Sequence, residues 1–312
     1  MNKYAIAFDI GGVFIKSAVL NYEGQVCPDT VAIYPSFSKL GKSDIIDHLV
    51  EIIKQQTGRI LDKYIQIYGI GYAFPGPFDY ENGISYITGL DKFDQIYGVN
   101  MRIEISERLR SDTMFSGKQA PEFQIVFEND ANLFGLGELL SGKARGYRRS
   151  ICITIGTGAG SAFIDNGEIV TKRADVPPNG WIYNTPFGDS IVDDYISKRG
   201  ILRLAKQSGM DTGELDVKAL AESARGGDQT AASVFWQFGR NIGVMLNGFV
   251  RSYHPEAVIL GGQISKSSDL FMDGIFESLE NSDLKIEMTA DTSISTFAGV
   301  SRLLQLNVDR KP

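Results

Sequence analysis

The stretch of sequence that decides the fold is Ala5-Ile-Ala-Phe-Asp-Ile-Gly-Gly-Val-Phe-Ile-Lys16, near the amino terminus. An apolar run, Tyr4–Phe8, ends at Asp9, and the glycine pair Gly11-Gly12 separates it from a second apolar run, Val13–Leu20. Apolar runs of this length with a glycine pair between them predict two strands joined by a tight turn.

The same order of elements returns in the second half of the chain. A turn leads from the first two strands to a third, predicted over Gln25–Tyr34. After residue 150, an apolar run over Ile151–Ile155 is interrupted by Gly156-Thr-Gly-Ala-Gly160 and resumes over Ser161–Ile164, before the turn Asp165-Asn-Gly167. Corresponding residues of the two halves are separated by a nearly constant number of positions along the chain. This regularity favours an internal repeat over chance similarity in a β-rich chain.

Helical patterns follow each opening, which predicts an α/β fold with helices packed on sheets. Predicted helices cover 43–57, with Ser43 as N-cap, 131–140 and 228–252; predicted strands cover 66–74, 125–127 and 257–260. The length of 312 residues favours two domains.

Composition excludes several classes of protein. The net charge of −7, with no basic tract, argues against a nucleic-acid partner. No signal peptide is apparent, and no apolar stretch approaches the ~20 residues that span a bilayer. The two cysteines, Cys27 and Cys152, lie far apart, and only His48 and His254 accompany them. We therefore expect a cytoplasmic protein with free thiols, no zinc site and no membrane association.

Glycine is abundant: 34 of the 312 residues are glycine, a larger share than the usual ~7%. Three glycine turns follow predicted strands. These turns are Gly11-Gly12, Gly156–Gly160 and Gly261-Gly262. Each alone is typical of a tight hairpin without a ligand, but three together favour a shared anionic ligand held by backbone N–H groups. The chain contains no P-loop motif. A dinucleotide fingerprint does not fit either, because such a fingerprint opens a helix, whereas a predicted strand follows Gly156–Gly160.

Two carboxylates at strand ends are candidates for chemistry. Asp9 is either a surface carboxylate or, beside a phosphate turn, a ligand for Mg²⁺, directly or through water. Asp130 is either a helix N-cap or the group that accepts a proton from an attacking hydroxyl. Lys16 is a solvated strand residue unless its side chain turns toward a phosphate.

Together these motifs resemble the ROK family (repressors, uncharacterised frames and sugar kinases) of actin-like, hexokinase-type ATPases. Asp9-Ile-Gly-Gly-Val-Phe-Ile-Lys16 resembles its first phosphate motif, and Ile155-Gly-Thr-Gly-Ala-Gly160 its second. Glu128-Asn-Asp-Ala-Asn132, with Gly137-Glu138, resembles its sugar and catalytic motif, and Val258-Ile-Leu-Gly-Gly262 its adenosine-side strand.

The resemblance implies two actin-like (ribonuclease H-like) α/β lobes with a cleft between them, binding a hexose and Mg·ATP. We expect an N-terminal lobe of residues 1–120, joined by a C-terminal helix at 298–312, and a larger lobe of residues 121–297. In the roles implied for site residues, Asp130 is the general base, Asn129 binds the sugar and Asp9 acts through the metal. The phosphate and adenosine side would comprise Gly11, Gly12, Lys16, Gly156, Thr157, Gly158, Gly261 and Gly262.

The chain departs from the family pattern at three places. The family's Glu-x-Gly-His sugar contact falls on Pro178 and Trp181, so both of these contacts are lost. Trp181 is either a residue that stacks on the sugar ring or a core or hinge residue. The zinc loop is replaced by Pro186–Tyr195, as in a zinc-free branch, and Asp193 stands where the family has a sugar-binding Glu. Val13 occupies a position that is usually Thr.

The sequence thus predicts an ATP-dependent hexose kinase that acts on a hexose or a derivative other than plain glucose. The alternative is a non-catalytic sugar-binding pseudokinase or sensor, favoured by the missing Glu and His. A DNA-binding role is not expected, because the first strand begins at about residue 3. The sequence leaves open the sugar, the hydroxyl attacked, ATP or polyphosphate as donor, and a homodimer, which the resemblance alone suggests.

Overall fold

The computed structural model describes residues 2–213, 215–281 and 283–309. Its strands are β1 (Asn2–Ile10), β2 (Phe14–Asn21), β3 (Ala32–Pro35), β4 (Ile65–Ala73), β5 (Phe78–Asp79), β6 (Ile84–Ser85), β7 (Gln119–Glu128), β8 (Arg149–Ile155), β9 (Ala159–Asp165), β10 (Glu168–Ile169), β11 (Pro186–Phe187), β12 (Ser190–Ile191), β13 (Ala257–Gly261) and β14 (Lys285–Met288). Its helices are α1 (Lys42–Gly58), α2 (Met101–Ser111), α3 (Thr113–Ser116), α4 (Asp130–Ser141), α5 (Val192–Tyr195), α6 (Lys198–Gln207), α7 (Val217–Arg225), α8 (Gln229–Tyr253), α9 (Ser268–Ser278) and α10 (Thr292–Asp309), with 3₁₀ turns at Asp94–Ile96, Pro178–Gly180 and Ile264–Ser267.

The chain folds into two compact units. The first contains the residues up to Ser141 together with those from Ser293 onward, and the second contains Gly142–Thr292. The boundary expected after residue 120 is corrected by the structure, because that position lies inside β7. Since β7 pairs with β4 in the sheet of the first unit, the motif Glu128–Asn132 at the end of β7 belongs to that unit too.

In the first unit the strands are arranged in the order β3-β2-β1-β4-β7. Strands β1, β2 and β3 pair antiparallel, whereas β4 and β7 extend the sheet parallel to β1. The carboxyl ends of β1, β4 and β7 therefore meet at one edge of the sheet, where ligands collect in α/β proteins.

Helices cover both faces of this sheet. On one face, α1 buries Ile45, Ile46 and Leu49 in the main apolar cluster of the unit. On the other face, α10 lies directly against β4: a methyl group on Gly69 would come within 2.5 Å of Leu304. The predicted N-cap of α1 is wrong, because Gly41 takes that position and Ser43 instead donates a hydrogen bond to Asp47.

The second unit repeats this plan. Its sheet has the order β10-β9-β8-β13-β14, with β8, β9 and β10 antiparallel and with β13 and β14 parallel to β8. Each strand therefore has a counterpart in the same place and direction in the first unit, which confirms the predicted common plan. The third strand of the first unit is shorter than predicted, since β3 begins only at Ala32 after an irregular segment that contains Pro28.

The long helix α8 organises the core of the second unit. Asp228 caps it by accepting hydrogen bonds from Thr230 and Ala231 N–H. Its buried face carries Phe235 and Phe238. No helix in the described ranges combines the length and apolar character needed to cross a bilayer.

Candidate active site

The first unit aligns its candidate residues across three neighbouring strands. Asp9 of β1 pairs in register with Ala73 of β4, and Ala73 pairs with Glu128 of β7. Adjacent strands lie ~4.8 Å apart, so Asp9 and the end of β7 are about two strand spacings apart at the same sheet edge. Asp130 follows two residues after Glu128, as the first residue of α4. The sheet thus brings the two predicted carboxylates into one region.

Asp9 has one basic neighbour in the register of the hairpin. It pairs with Lys16 of β2, and the Lys16 Nζ lies 3.8 Å from the Asp9 Oδ2. Lys16 Nζ also donates a hydrogen bond to Ser293 Oγ at 2.7 Å, so Lys16 is turned toward the carboxylate and is more than a solvated strand residue. Burial raises the pKa of Asp9 to about 6, Lys16 opposes this rise, and the charge of Asp130 adds to it.

The first glycine turn closes between β1 and β2, where Gly11 N–H donates to the Phe14 carbonyl at 2.9 Å. The carbonyl of Gly12 accepts hydrogen bonds from the hydroxyls of Ser36 and Ser38, each at 2.6 Å. Neither glycine has a positive φ. These glycines are therefore not needed for a left-handed backbone; their small size matters, because a methyl group on either would come within 2.8 Å of a neighbouring atom.

The motif after β7 is fixed by its own hydrogen bonds. Glu128 Oε1 accepts from Asn129 N–H at 2.7 Å and from Asn132 Nδ2 at 3.0 Å. Asn129 Oδ1 accepts from Ala131 N–H at 3.0 Å. Asn129 therefore caps α4 with its oxygen and keeps its Nδ2 donor for a ligand.

Asp130 uses one of its carboxylate oxygens at the start of α4. Its Oδ1 accepts a hydrogen bond from Ala131 N–H at 2.9 Å, and Oδ2 is not engaged by this bond. The residue is exposed to solvent on one side, while protein around its other sides raises the pKa of the carboxyl. The Ala131 N–H bond and the positive charge of Lys92 oppose that rise.

The second glycine turn, in the other unit, connects β8 to β9. Gly156 N–H donates to the Gly158 carbonyl at 2.9 Å, and Lys198 N–H, at the start of α6, donates to the Gly156 carbonyl at 2.9 Å. In the described ranges, no heavy atom beyond Gly156 and its two neighbours in the chain lies within 4 Å of where a methyl group on Gly156 would be. The turn is open at that point and has room for a ligand.

Asp193 holds this turn in place. Its Oδ1 accepts from Ala159 N–H at 2.7 Å, and its Oδ2 is ion-paired with Arg199. A methyl group on Gly158 would approach Asp193 Oδ1 to 3.1 Å. Both carboxylate oxygens are therefore engaged within the second unit. The sugar-binding role expected for Asp193 stays a prediction; from these two partners we propose instead that Asp193 positions the turn.

Trp181 follows the 3₁₀ turn Pro178–Gly180 and is partly exposed. Its ring lies 6.0 Å from that of Tyr183, which is 41% exposed. An accessible pair of aromatic rings is compatible with stacking on a sugar, the role that the sequence suggested for Trp181.

Gly261 and Gly262 close β13 beside the end of β8. Gly262 has a φ of 93°, and a methyl group there would lie 2.2 Å from the Ile155 carbonyl oxygen. Its N–H donates to Thr292 Oγ1 at 2.7 Å. Glycine is thus required at position 262 by the backbone itself, a reason independent of any bound adenosine.

A cavity of about 550 Å³ opens beside the second glycine turn. Gly156 and Thr157 line one side of it. The rest of the lining combines apolar, basic, acidic and neutral polar residues: Val217, Ala221 and Ile264; Lys198, Lys218, Arg225 and Lys266; Asp216 and Glu222; Gln263 and Ser267. Sequence reasoning missed these residues, because amphipathic helices such as α7 show which face is apolar but not what they pack beside.

A second cavity, of about 590 Å³, lies in the first unit along β7 and α2. It contains none of the predicted site residues; Arg102, one of its lining residues, donates to the carbonyls of Ile125 and Glu81. Among the described residues, no group of three or more His, Cys, Asp or Glu side chains is arranged around a common metal position.

Lys92 is the residue of the first unit that sequence reasoning overlooked. It follows the turn at Gly89 and precedes the buried Phe93, and nothing in its sequence context distinguishes it from a surface lysine. The structure places it beside Gly12 and close enough to Asp130 for its charge to lower the pKa of that carboxyl.

The chain is similar in sequence to known sugar kinases. The sequence profile of the ROK family matches residues 5–300. A glucokinase of Thermotoga maritima is 26% identical over 294 residues, covering 88% of this chain and 86% of that protein. An N-acetyl-D-glucosamine kinase of Mannheimia succiniciproducens is 26% identical over 283 residues and covers 85% of each chain.

A solved structure shares the fold. The ROK family glucokinase of Streptomyces griseus, in complex with glucose and AMPPNP, superposes with a TM-score of 0.69 at 21% identity, covering 95% of this chain and 98% of that one. This likeness shows the actin-like two-lobe fold. With the family profile spanning nearly the whole sequence, the chain belongs to the ROK family.

Proposed function

We propose that this protein is an ATP-dependent sugar kinase that transfers the γ-phosphoryl group to a hydroxyl of a hexose or hexose derivative. One observation carries the proposal: Asp9, Asn129 and Asp130 meet at one sheet edge of the first unit, each with an atom left for a ligand. The kinases among the relatives support the same class of reaction.

In this proposal Asp130 is the general base. Its Oδ2 takes the proton of the sugar hydroxyl as the sugar oxygen forms a bond to the γ-phosphorus and the bond to the ADP oxygen breaks. Asn129 Nδ2 donates to the sugar and fixes its orientation. Positioning and charge neutralisation are the main demands of phosphoryl transfer, so these few groups are sufficient.

Asp9 fits a magnesium ion, directly or through water. Within the described part of the chain, Lys16 is the one cation ion-paired with this carboxylate, at 3.8 Å, and the pKa of Asp9 is raised to about 6. A carboxylate whose charge is so poorly compensated gains from a cation, and Mg²⁺ is commonly held by one or two carboxylates and the substrate phosphates. When bound, the ion would neutralise phosphate charge.

The second unit would bind the nucleotide. Its cavity of about 550 Å³ combines the open turn at Gly156 and Thr157 with the apolar Val217, Ala221 and Ile264. Phosphates suit the turn and the lysines, whereas a purine suits the apolar side. A chain of inorganic phosphates would leave that apolar side uncovered, so we favour ATP over polyphosphate as the donor.

A panel of sugars tests the function. Purified protein with Mg·ATP is incubated with glucose, mannose, N-acetylglucosamine and alkyl glucosides, and ADP release is followed together with the mass of the sugar product. We expect a sugar-dependent ADP signal and a product heavier by one phosphoryl group. Parallel reactions with polyphosphate test the donor. Absence of product with every sugar and both donors would contradict the proposal.

A sugar sensor without catalysis is the second candidate. Pro178 and Trp181 replace the Glu and His that the family uses on the sugar, and Asp193 is engaged with Ala159 and Arg199. Calorimetric binding of a sugar in the absence of any ADP release, in the same panel, would favour this candidate.

A further inference from the structure

A lysine outside the family motifs lies on the first glycine turn. A methyl group on Gly12 would come within 2.8 Å of the Lys92 Cδ. The apolar stem of Lys92 therefore lies against the space that the missing side chain of Gly12 provides. Its ammonium, two covalent bonds beyond Cδ, extends from the turn that precedes β2.

The surrounding loop is tied to the same turn. Phe93 is 1% exposed and adopts a left-handed conformation, with a φ of 60°. Its N–H donates to the Ser38 carbonyl at 2.6 Å, and the Ser38 hydroxyl donates to the Gly12 carbonyl at 2.6 Å. Lys92 is thus held next to Gly12 by its neighbour in the chain.

The charge of Lys92 acts on Asp130 and has no counter-ion among the described residues. The adjacent Asp91 is ion-paired with Lys39, whereas the ammonium of Lys92 has no ion pair within the described part of the chain. Lys92 is only partly buried, and its field reaches Asp130. A cation that is positioned by packing and left without a counter-ion is available to an anionic ligand.

We propose that Lys92 is a catalytic residue that binds the phosphoryl group during its transfer to the sugar hydroxyl held by Asp130. The inference rests on the proposed kinase function. Negative charge on the transferred group spreads over its peripheral oxygens, and a preorganised ammonium beside the glycine turn stabilises that charge. The ligand of Lys92 is thus a phosphoryl group, to which its ammonium donates hydrogen bonds. The absence of a side chain on Gly12 leaves room for the aliphatic part of the Lys92 side chain.

Substitution separates the charge of Lys92 from its packing. Lys92→Met keeps an unbranched stem over Gly12 but removes the charge, and Lys92→Arg keeps a charge. Lys39→Met, at the exposed ion pair with Asp91, is the matched control. We expect Lys92→Met to lower kcat by roughly 10²–10³-fold, with the sugar KM changed less than about threefold. Lys92→Arg should recover most of kcat, and Lys39→Met should behave as wild type.

The outcomes distinguish the two proposals. If wild type is active and Lys92→Met retains kcat within about threefold, the role of Lys92 is overturned and the kinase function stands. If Lys92→Met lowers the melting temperature, Lys92→Gln replaces it under the same criterion. A loss of kcat in Lys92→Arg as large as in Lys92→Met would show that the charge is not what matters and would also overturn the role. A wild type inactive with every sugar and donor refutes the kinase function and the role together.

Discussion

Asp193 offers a sharp test of how the second glycine turn is held. Replacing it by Ala leaves the buried Ala159 N–H, now bonded to Oδ1 at 2.7 Å, without an acceptor. An unsatisfied buried donor costs about 1–3 kcal/mol. The lost ion pair adds no more than about 1 kcal/mol, because the Arg199 side chain is 53% exposed. We therefore expect Asp193→Ala to destabilise the second unit by about 1–4 kcal/mol, with about 2–3 kcal/mol as the middle of that range.

Thermal denaturation and steady-state kinetics measure the effect. For a unit of this size, 2–3 kcal/mol corresponds to a fall in melting temperature of about 5–10 °C. Asp193→Asn keeps an oxygen for Ala159 N–H and should cost no more than about 1 kcal/mol. Asp194→Ala is the matched control, since Asp194 lies next in sequence and its contact with Arg199, at 3.5 Å, is more exposed.

The kinetic signature distinguishes a positioning residue from a sugar ligand. A loosened turn should raise the KM for ATP in Asp193→Ala and leave the sugar KM within about threefold. The opposite pattern, an unchanged melting temperature and ATP KM with a sugar KM raised tenfold or more, would refute our reassignment and restore the sugar-binding role expected from the sequence.

Two further predictions concern the other carboxylate and the glycine that closes β13. Burial raises the pKa of Asp9 from 3.8 to about 6. The protonated form of Asp9 therefore stabilises the folded state. This stabilisation is complete below pH 3.8 and is lost as the pH rises through 6. Asp9→Asn should leave the free energy of unfolding in urea unchanged at pH 4 but raise it by about 1–3 kcal/mol at pH 7.5 without Mg²⁺; equal stability of the two proteins at pH 7.5 would contradict this. Gly262→Ala should lower the free energy of unfolding by at least about 1–3 kcal/mol, because Ala at a φ of 93° is strained and its Cβ would meet the Ile155 carbonyl. A loss of 1 kcal/mol lowers the melting temperature by about 2–4 °C in a unit of this size. A melting temperature within about 1–2 °C of wild type would therefore contradict the steric argument.

The repeated plan was predictable from the sequence because strand length and glycine turns are local signals. The runs before Gly11 and Gly156 became β1 and β8, each paired with the strand that follows its turn. The division of the chain was less predictable. Nothing local shows that β7 pairs with β4, so the true boundary at Ser141 needed the sheet order.

The position of a candidate residue was predictable where a motif ends a strand, but its partners were not. Asp9 lies near the end of β1, and Asp130 begins α4 two residues after the end of β7. Asp193 was assigned from its place in a motif, but Arg199 and Ala159 N–H occupy its oxygens. Lys92 carries no sequence signal, since its significance arises from contact with a glycine eighty positions away along the chain.

The most direct test of the central claim is the turnover of Asp130→Asn. Asn can still accept the Ala131 hydrogen bond through Oδ1, so the fold and calorimetric sugar binding should be preserved, while no carboxylate remains to take the proton. We predict a fall in sugar-phosphate formation of about 10²–10⁴-fold with an unchanged melting curve. Formation of sugar phosphate at the wild-type rate by correctly folded Asp130→Asn would contradict the assignment of this carboxylate as the base of a sugar kinase.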